Sequence, residues 1–182
     1  MKHVILLTAA ALALATPGHV SGQASPGTIP DALRASTLPR QQLSGPRFGF
    51  TTFTGDVADL RQSAGKGLFM SQFGWQFETQ LVSTNSGHQA LLEWVVLVGG
   101  VEQNEMNLGV SWLAGYRLPN GMEFGAGPNI GLRKDGGEPT TSMVVAGGAT
   151  VAFGELYVPL NVAFAFAEGG PRITTLLGWI AG

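Results

Sequence analysis

The sequence predicts an all-β fold, an eight-stranded antiparallel up-and-down transmembrane β-barrel, from three observations. Apolar side chains recur at every second position from Arg47 to the C-terminus, which is the period of strands and not of helices. Bulky apolar residues share one face of each strand, and the opposite faces carry Gly, Ala and polar residues. The charged fraction of 12% is about half the usual share, and the 27 glycines are about twice the usual number. An apolar outside around a small and polar inside is typical of a membrane barrel.

The segment Leu118–Leu132 shows the pattern most clearly. It opens with a turn containing Asn120–Gly121, and Asn-Gly between apolar alternations is a strong hairpin signal. Two faces then alternate along the predicted strand, with Phe124, Ala126, Pro128, Ile130 and Leu132 on one and Glu123, Gly125, Gly127, Asn129 and Gly131 on the other. The bulky face suits the outside of a barrel wall, and the small, polar face suits its inside.

Two segments precede the predicted barrel. Met1–Ala24 has the features of a secretory signal peptide, because Lys2 precedes the apolar run Val4–Ala15 and small residues surround Ala24. The alternative, an N-terminal membrane anchor, is disfavoured because the apolar run is shorter than the roughly 20 residues that span a bilayer. Ser25–Pro46 contains four prolines and is expected to be a flexible linker. The barrel domain is therefore expected to cover residues 47–182.

About eight strands fit into this domain. Its 136 residues give about 17 for each strand with its connection, and a membrane strand needs about 9–11 of them. With an even number of strands, both chain ends lie on one side, and the connections alternate between a far side and a near side. The predicted far-side connections are Gly55–Gly67, Glu102–Asn107, Lys134–Ser142 and Glu168–Pro171, and the near-side ones are Ser83–His88, Pro119–Gly121 and the turn at Gly154.

The choice between a membrane barrel and a soluble barrel depends on which face points outward. A water-facing surface of Gly and Ala would lack the charge that soluble surfaces need, so the bulky faces are expected to contact lipid. Trp75, Trp94, Tyr116 and Trp179 are expected to supply interfacial girdles. The inward faces then place a polar network in the lumen, with the predicted members Gln76, Glu78, Glu93, Arg117, Glu123, Asn129 and Asn161. Because unpaired buried charge is costly, these residues are expected to pair with one another.

The third strand, within Gln89–Val101, leaves an alternative open. Leu91, Val95 and Leu97 surround Glu93 on its inward face, which suits a packed apolar interior. A periplasmic lipocalin-like barrel that binds a small apolar ligand is therefore the second hypothesis. A general pore is not expected, because eight strands leave room only for side chains or one small ligand.

No pattern of catalytic, cofactor-binding or metal-ligating residues emerges from the sequence. The chain has no Cys, and Gly125–Gly127 lies within a strand with no helix after it, unlike a phosphate-binding loop. Asp135–Glu138 is too short a cluster for a calcium loop. The net charge of -2, with no basic stripe, gives no sign of nucleic-acid binding. A third hypothesis, a lipid-modifying barrel enzyme, requires His88 on the barrel wall beside a Ser, whereas the pattern places it in a turn.

Three motifs carry a resemblance: Gly-Pro-Arg-Phe-Gly at Gly45–Gly49, the hairpin Pro119–Asn129, and Gly-Pro-Arg-Ile at Gly170–Ile173. Through them, Arg47–Gly182 resembles the small eight-stranded outer-membrane β-barrel proteins of bacteria. The resemblance implies a porin-like wall in the Gram-negative cell envelope, with outer-membrane lipid and the barrel assembly machinery as partners. It implies no functional residues. Members of that group usually end in an aromatic residue that the assembly machinery reads, whereas here the last aromatic residue is Trp179.

The function expected from these observations is non-enzymatic. An integral barrel without a catalytic pattern is expected to serve membrane structure, or surface interaction through its longer far-side loops. Those loops are Gly55–Gly67 and Lys134–Ser142.

Overall fold

The computed structural model describes residues 43–134 and 136–181, so the predicted signal peptide and the linker up to residue 42 lie outside the described residues. The strands in this part are β1 (Gly45–Phe53), β2 (Phe69–Ser83), β3 (Gln89–Gly99), β4 (Asn107–Arg117), β5 (Met122–Arg133), β6 (Thr140–Phe153), β7 (Leu156–Phe166), β8 (Arg172–Gly178) and the short β9 (Ile180–Ala181). Helix α1 (Asp56–Ser63) joins β1 to β2, and a 3-10 turn at Val101–Gln103 joins β3 to β4. Neither of these two helical segments is long and apolar enough to cross a lipid bilayer.

The strands form one closed sheet. Each strand from β1 to β8 lies antiparallel to the next, and β1 also pairs with β8, where Arg47 lies opposite Gly178. The predicted eight-stranded antiparallel up-and-down barrel is therefore confirmed. The short β9 follows β8 after Trp179 and pairs with β7. We call the end at which β1 begins and β8 finishes the near side, and the opposite end, which carries α1, the far side.

The two faces of the wall are arranged as the period of two predicts. On β2, Phe73 and Phe77 are exposed on the outside, and Gln76 and Glu78 are buried inside. On β1 the inward residues Arg47 and Thr51 are likewise polar and buried, and this strand begins at Gly45, two residues before the predicted start. The large aromatic side chains of the wall thus lie on its outside.

The near-side turn between β4 and β5 has the predicted hairpin chemistry. Leu118 N donates to Met122 O at 2.8 Å, and Gly121 N donates to Leu118 O at 3.0 Å. Gly121 has a φ of 82°, a left-handed conformation that glycine adopts without a steric penalty. The turn sets the register that places Arg117 opposite Glu123.

The pairing of β5 with β4 has a gap where Pro128 lies. Ser111 lies opposite Asn129 and Ala114 opposite Ala126, with no paired residues between them. Proline has no N–H to donate to a neighbouring strand, which explains the gap. A Cβ atom at the adjacent Gly127 would lie 2.0 Å from the Trp112 carbonyl oxygen, so this close approach of the strands requires glycine.

The middle of the lumen is apolar. The inward side chains Val95, Leu113, Val144 and Leu176 form a buried cluster, packed against Leu97, Ala146, Ala163 and Ala165. The inward face of β3 therefore packs against small and branched residues of the opposite wall. Glu93 lies where this apolar layer meets the polar near-side end of the lumen.

Candidate functional site in the barrel lumen and at its far-side mouth

Arg117, the last residue of β4, holds a buried cluster of charges together. Its guanidinium donates to Glu123 from Nε at 3.0 Å and from Nη2 at 2.7 Å, and to Glu78 from Nη1 at 2.9 Å and from Nη2. Glu123 is its register partner on β5, whereas Glu78 comes from β2, on the other side of β3. Asn161 on β7 donates to Glu123 as well, so the cluster crosses the near-side lumen.

A second guanidinium, that of Arg47 on β1, completes this end of the barrel. It donates to Gln76 Oε1 and to the backbone oxygens of Leu43 and Pro46, each at 3.0 Å. Arg47 is only 1% exposed. Leu43, also buried, donates its N–H to Glu78 Oε1 at 3.4 Å, so this residue lies against the near-side end of the lumen. We call the whole set the lumen network, with the members Arg47, Gln76, Glu78, Glu93, Arg117, Glu123 and Asn161.

Glu93 differs from the other carboxylates of the lumen network. It is buried but makes no hydrogen bond with any residue in the described part of the chain. A Cβ atom at Gly115 would lie 2.8 Å from Glu93 Oε1, so the glycine leaves room for this carboxylate. With every group ionised, the lumen network contains three carboxylates and two guanidinium groups. It therefore has one negative charge in excess.

The three carboxylates of the lumen network are close enough to one another for a metal site to be considered. One oxygen each from Glu78, Glu93 and Glu123 lies within 4.8 Å of the other two. However, Arg117 donates to Glu78 and to Glu123 and already supplies the positive charge that a metal ion would bring. Calcium also requires roughly six to eight oxygen ligands. The geometry therefore fits an ion-pair network better than a metal centre.

Asn129, the remaining predicted member, lies apart from the lumen network. Its Nδ2 donates to Ser111 Oγ at 2.9 Å, and its Oδ1 accepts from Ser142 Oγ at 3.4 Å. The structure thus brings six of the seven predicted residues together at the near side and places Asn129 farther along the lumen. The period of two predicts that Asn129 lies on the inward face, but its position along the barrel axis depends on the stagger of the strands.

Between the lumen network and the far side, the barrel contains a cavity with about 130 Å³ of room for water-sized molecules. We call it the lumen cavity. Its lining combines the apolar side chains of the central layer with polar side chains such as Gln72, Ser111 and Asn129, and Glu93 lies at its near-side end. Arg172, the first residue of β8, lies at its far-side end.

The far-side connections are joined by an ion-pair cluster around Glu105. Arg61 on α1 donates to Glu105 at 3.0 Å, and Lys66 also pairs with this carboxylate. Arg61 further donates to Gln103 Oε1 at 2.7 Å. Burial raises the pKa of Glu105, but the hydrogen bonds and charges of Lys66 and Arg61 outweigh it, and the pKa lies below its usual value. These contacts fix α1 against the turn between β3 and β4.

The far-side end of the lumen opens into a second space, which we call the mouth pocket. It has about 350 Å³ of room, and Arg61, Lys66, Arg133, Arg172 and Glu105 contribute its charged side chains. Arg172 and Arg61 both contact the ring of Phe53, with the Cζ atoms 5.9 and 4.2 Å from its centroid.

The sequence patterns did not single out Arg47 or Arg172 as site residues. Both follow Gly-Pro, at Gly45–Pro46 and at Gly170–Pro171, and both start the polar face of a strand. This repeated Gly-Pro-Arg triplet is the sequence signal by which they were recognisable.

His88 lies in the near-side turn that the sequence predicted. Its Nδ1 is 3.0 Å from the hydroxyl oxygen of Tyr116, and the two rings stack with centroids 5.8 Å apart. Tyr116 points to the outside of the barrel and is exposed. The imidazole thus lies at the outer rim, away from the lumen network.

No protein-family model, curated protein or solved structure matches this chain.

Proposed function

We propose that this chain is an integral β-barrel protein of the bacterial outer membrane with a non-enzymatic role. The proposal rests on the orientation of the two faces of the barrel wall, which is opposite to that of a soluble barrel. Phe73, Val145 and Phe164 point outward and are 43–58% exposed, whereas Arg47 and Arg117 point inward and are at most 5% exposed. Soluble barrels direct their apolar faces inward, and membrane barrels present an apolar band to lipid around a polar interior.

The dimensions of the wall support the same proposal. β3 and β4 contain 11 residues each. At a rise of about 3.3 Å per residue and a tilt of about 40°, such a strand spans about 28 Å, close to the apolar band of about 25 Å in outer-membrane barrels. All four tryptophans are on the outside, and the rings of Trp94 and Trp112 lie 6.0 Å apart.

The far-side connections are fixed to one another by ion pairs and hydrogen bonds, and this favours surface interaction as the role. α1, Lys66 and the turn between β3 and β4 are held together by the ion pairs of Glu105. A backbone hydrogen bond from Val57 N to Gly169 O at 2.9 Å also joins α1 to the turn between β7 and β8. A fixed surface loses less conformational entropy when it binds a partner than a flexible loop does. The near-side lumen, in contrast, is occupied by the side chains of the lumen network.

The proposal is tested with a pair of arginine substitutions. Val145, near the middle of β6, has Ala126 and Phe164 beside it on the neighbouring strands. An arginine at the middle of the lipid-facing band costs about 2–4 kcal/mol, so Val145→Arg should strongly reduce recovery in the outer membrane after a carbonate and urea wash. Val101→Arg, an exposed position in the far-side turn, is the matched control and should be recovered as the wild type. Equal recovery of both variants in the soluble periplasmic fraction would refute membrane integration.

A separate experiment tests the role in surface interaction. The loops Gly55–Gly67 and Lys134–Ser142 are replaced by Ala-Gly sequences of equal length, singly and together. We expect loss of partner binding at the cell surface while the barrel remains in the membrane. Replacement without any binding or surface phenotype would count against this role and leave membrane structure as the function.

The lumen cavity favours a second candidate function. A periplasmic lipocalin-like barrel would bind a small apolar ligand among Leu91, Val95 and Leu97, of which Val95 and Leu97 line the cavity. In this case the protein is recovered from the periplasm without detergent, and Val145→Arg does not affect its yield. The fractionation experiment therefore distinguishes the two functions.

A further inference from the structure

The mouth pocket carries more positive than negative charge. Four basic side chains line it, and Glu105 is the one acidic residue among the described residues of its lining. Glu105 already pairs with Arg61 and Lys66. Arg172 lies outside these two ion pairs, and basic side chains outnumber acidic ones among the described residues of the lining, so the pocket attracts oxyanions.

Arg172 is the best placed of these cations to hold an anion. Its Nε is buried and has no hydrogen-bond partner among the described residues, and the side chain forms no ion pair with them. A buried polar group normally has a partner, so this Nε–H group is available to donate to an acceptor that enters the adjacent pocket. The planar fork of donors on arginine matches carboxylate and phosphate groups.

The mouth pocket is continuous with the lumen cavity. Met70, Asn107, Gly131 and Arg172 line both spaces. On one side of Arg172 lie the other cations. On the other side, beyond the polar residues Thr51, Gln72 and Thr174, lies the apolar layer, with the members Val95, Leu113, Val144, Ala163 and Leu176. A cationic end followed by an apolar end is complementary to a molecule with an anionic head and a short apolar chain.

We propose that the far-side mouth binds a small, free amphiphilic oxyanion, such as a short-chain carboxylate or alkyl phosphate. Its head contacts Arg172, with Arg61, Lys66 and Arg133 around it, and its chain extends into the lumen cavity. Glu93 lies at the opposite end of this cavity, away from the head. The site does not depend on what surrounds the barrel, so it stands or falls separately from the membrane proposal.

The test uses the mature full chain, purified in a non-ionic detergent and titrated with hexyl phosphate, hexanoate, hexanol and inorganic phosphate. Calorimetry gives the affinities, and the arginine Nε–Hε resonances in nitrogen-15 spectra report contact at Arg172. We expect saturable binding of hexyl phosphate and hexanoate with a shift of the Arg172 resonance. Hexanol and inorganic phosphate should bind at least tenfold more weakly, because each lacks one half of the ligand.

Two substitutions separate the two halves of the site. Arg172→Gln should weaken hexyl phosphate at least tenfold, the loss expected for a charge-assisted hydrogen bond. Ala163→Leu, which fills the lumen cavity, should weaken hexyl phosphate but leave inorganic phosphate unchanged. Lys134→Gln removes an exposed far-side charge outside the pocket and is the matched control. Heat-dependent gel mobility confirms that each variant is folded.

Three results would overturn the proposal. Equal effects of Arg172→Gln and Lys134→Gln would mean that only general charge attraction is measured. Equal affinities for hexyl phosphate and inorganic phosphate would reduce the site to a simple anion site without a chain pocket. Finally, the titration is repeated in phosphatidylcholine nanodiscs with and without phosphatidylglycerol, and competition by the anionic lipid would identify a bilayer headgroup as the occupant.

Discussion

Replacing Arg117 by Met removes the centre of the lumen network. The guanidinium makes five hydrogen bonds, to Glu78, Glu123 and Gln89. Its loss leaves the carboxylates Glu78 and Glu123 buried without a compensating charge, and breaking a buried ion pair on one side costs about 3–5 kcal/mol. Methionine fills a similar volume, so little of the loss comes from packing.

The free energy of unfolding is measured by urea titration of the protein in lipid vesicles, with tryptophan fluorescence as the signal. We expect Arg117→Met to lower it by about 3–5 kcal/mol. Arg117→Lys keeps the charge but not the planar fork, so its loss should be smaller. The triple variant with Glu78→Gln and Glu123→Gln should regain most of the stability, because no uncompensated carboxylate remains at those two positions. A loss below about 1 kcal/mol for Arg117→Met would refute the reasoning, since that is the range of exposed ion pairs.

Two further predictions concern the strand contact at β4 and the far-side loops. Gly127→Ala should lower the free energy of unfolding by about 1–3 kcal/mol, because its Cβ would collide with the Trp112 carbonyl oxygen. Gly109→Ala is the control, since the nearest atom to its Cβ would be 3.8 Å away, and it should be nearly neutral in the same urea titration. The lowered pKa of Glu105 means that its ion pairs stabilise the loops above the pKa of the unfolded chain, and this stability is lost as the pH falls through the lower folded value. The protection of the α1 amides against exchange, relative to unstructured peptides at the same pH, should therefore fall as the pH drops below the unfolded-chain pKa of glutamate, about 4.3. In Glu105→Gln this protection should be low already at pH 7, and unchanged protection in that variant would contradict the assigned role of Glu105.

The alternation of residue types determined the barrel wall. Phe73, Trp75 and Phe77 differ from Gln76 and Glu78 in polarity, and a period of two leaves only the choice of which face is inside. Local turn chemistry at Asn120–Gly121 then set the pairing of β4 with β5. These features depend on neighbours in the sequence or on one hairpin, so they are readable from the sequence.

Only the closed barrel decided which inward side chains meet. Glu78 contacts Arg117 across the intervening strand β3. Arg47 contacts Leu43, which belongs to a segment that the composition predicts to be a linker. Both contacts depend on the stagger of the strands in the closed sheet, which fixes the position of each side chain along the barrel axis. The mouth pocket is lined by residues of a helix, of two connections and of the start of β8. The contacts between these elements cannot be predicted from a periodic pattern in the sequence. The sequence thus determined the wall and its two faces, since these follow from local alternation, and the tertiary structure decided the sites, since these require residues that are distant in the chain.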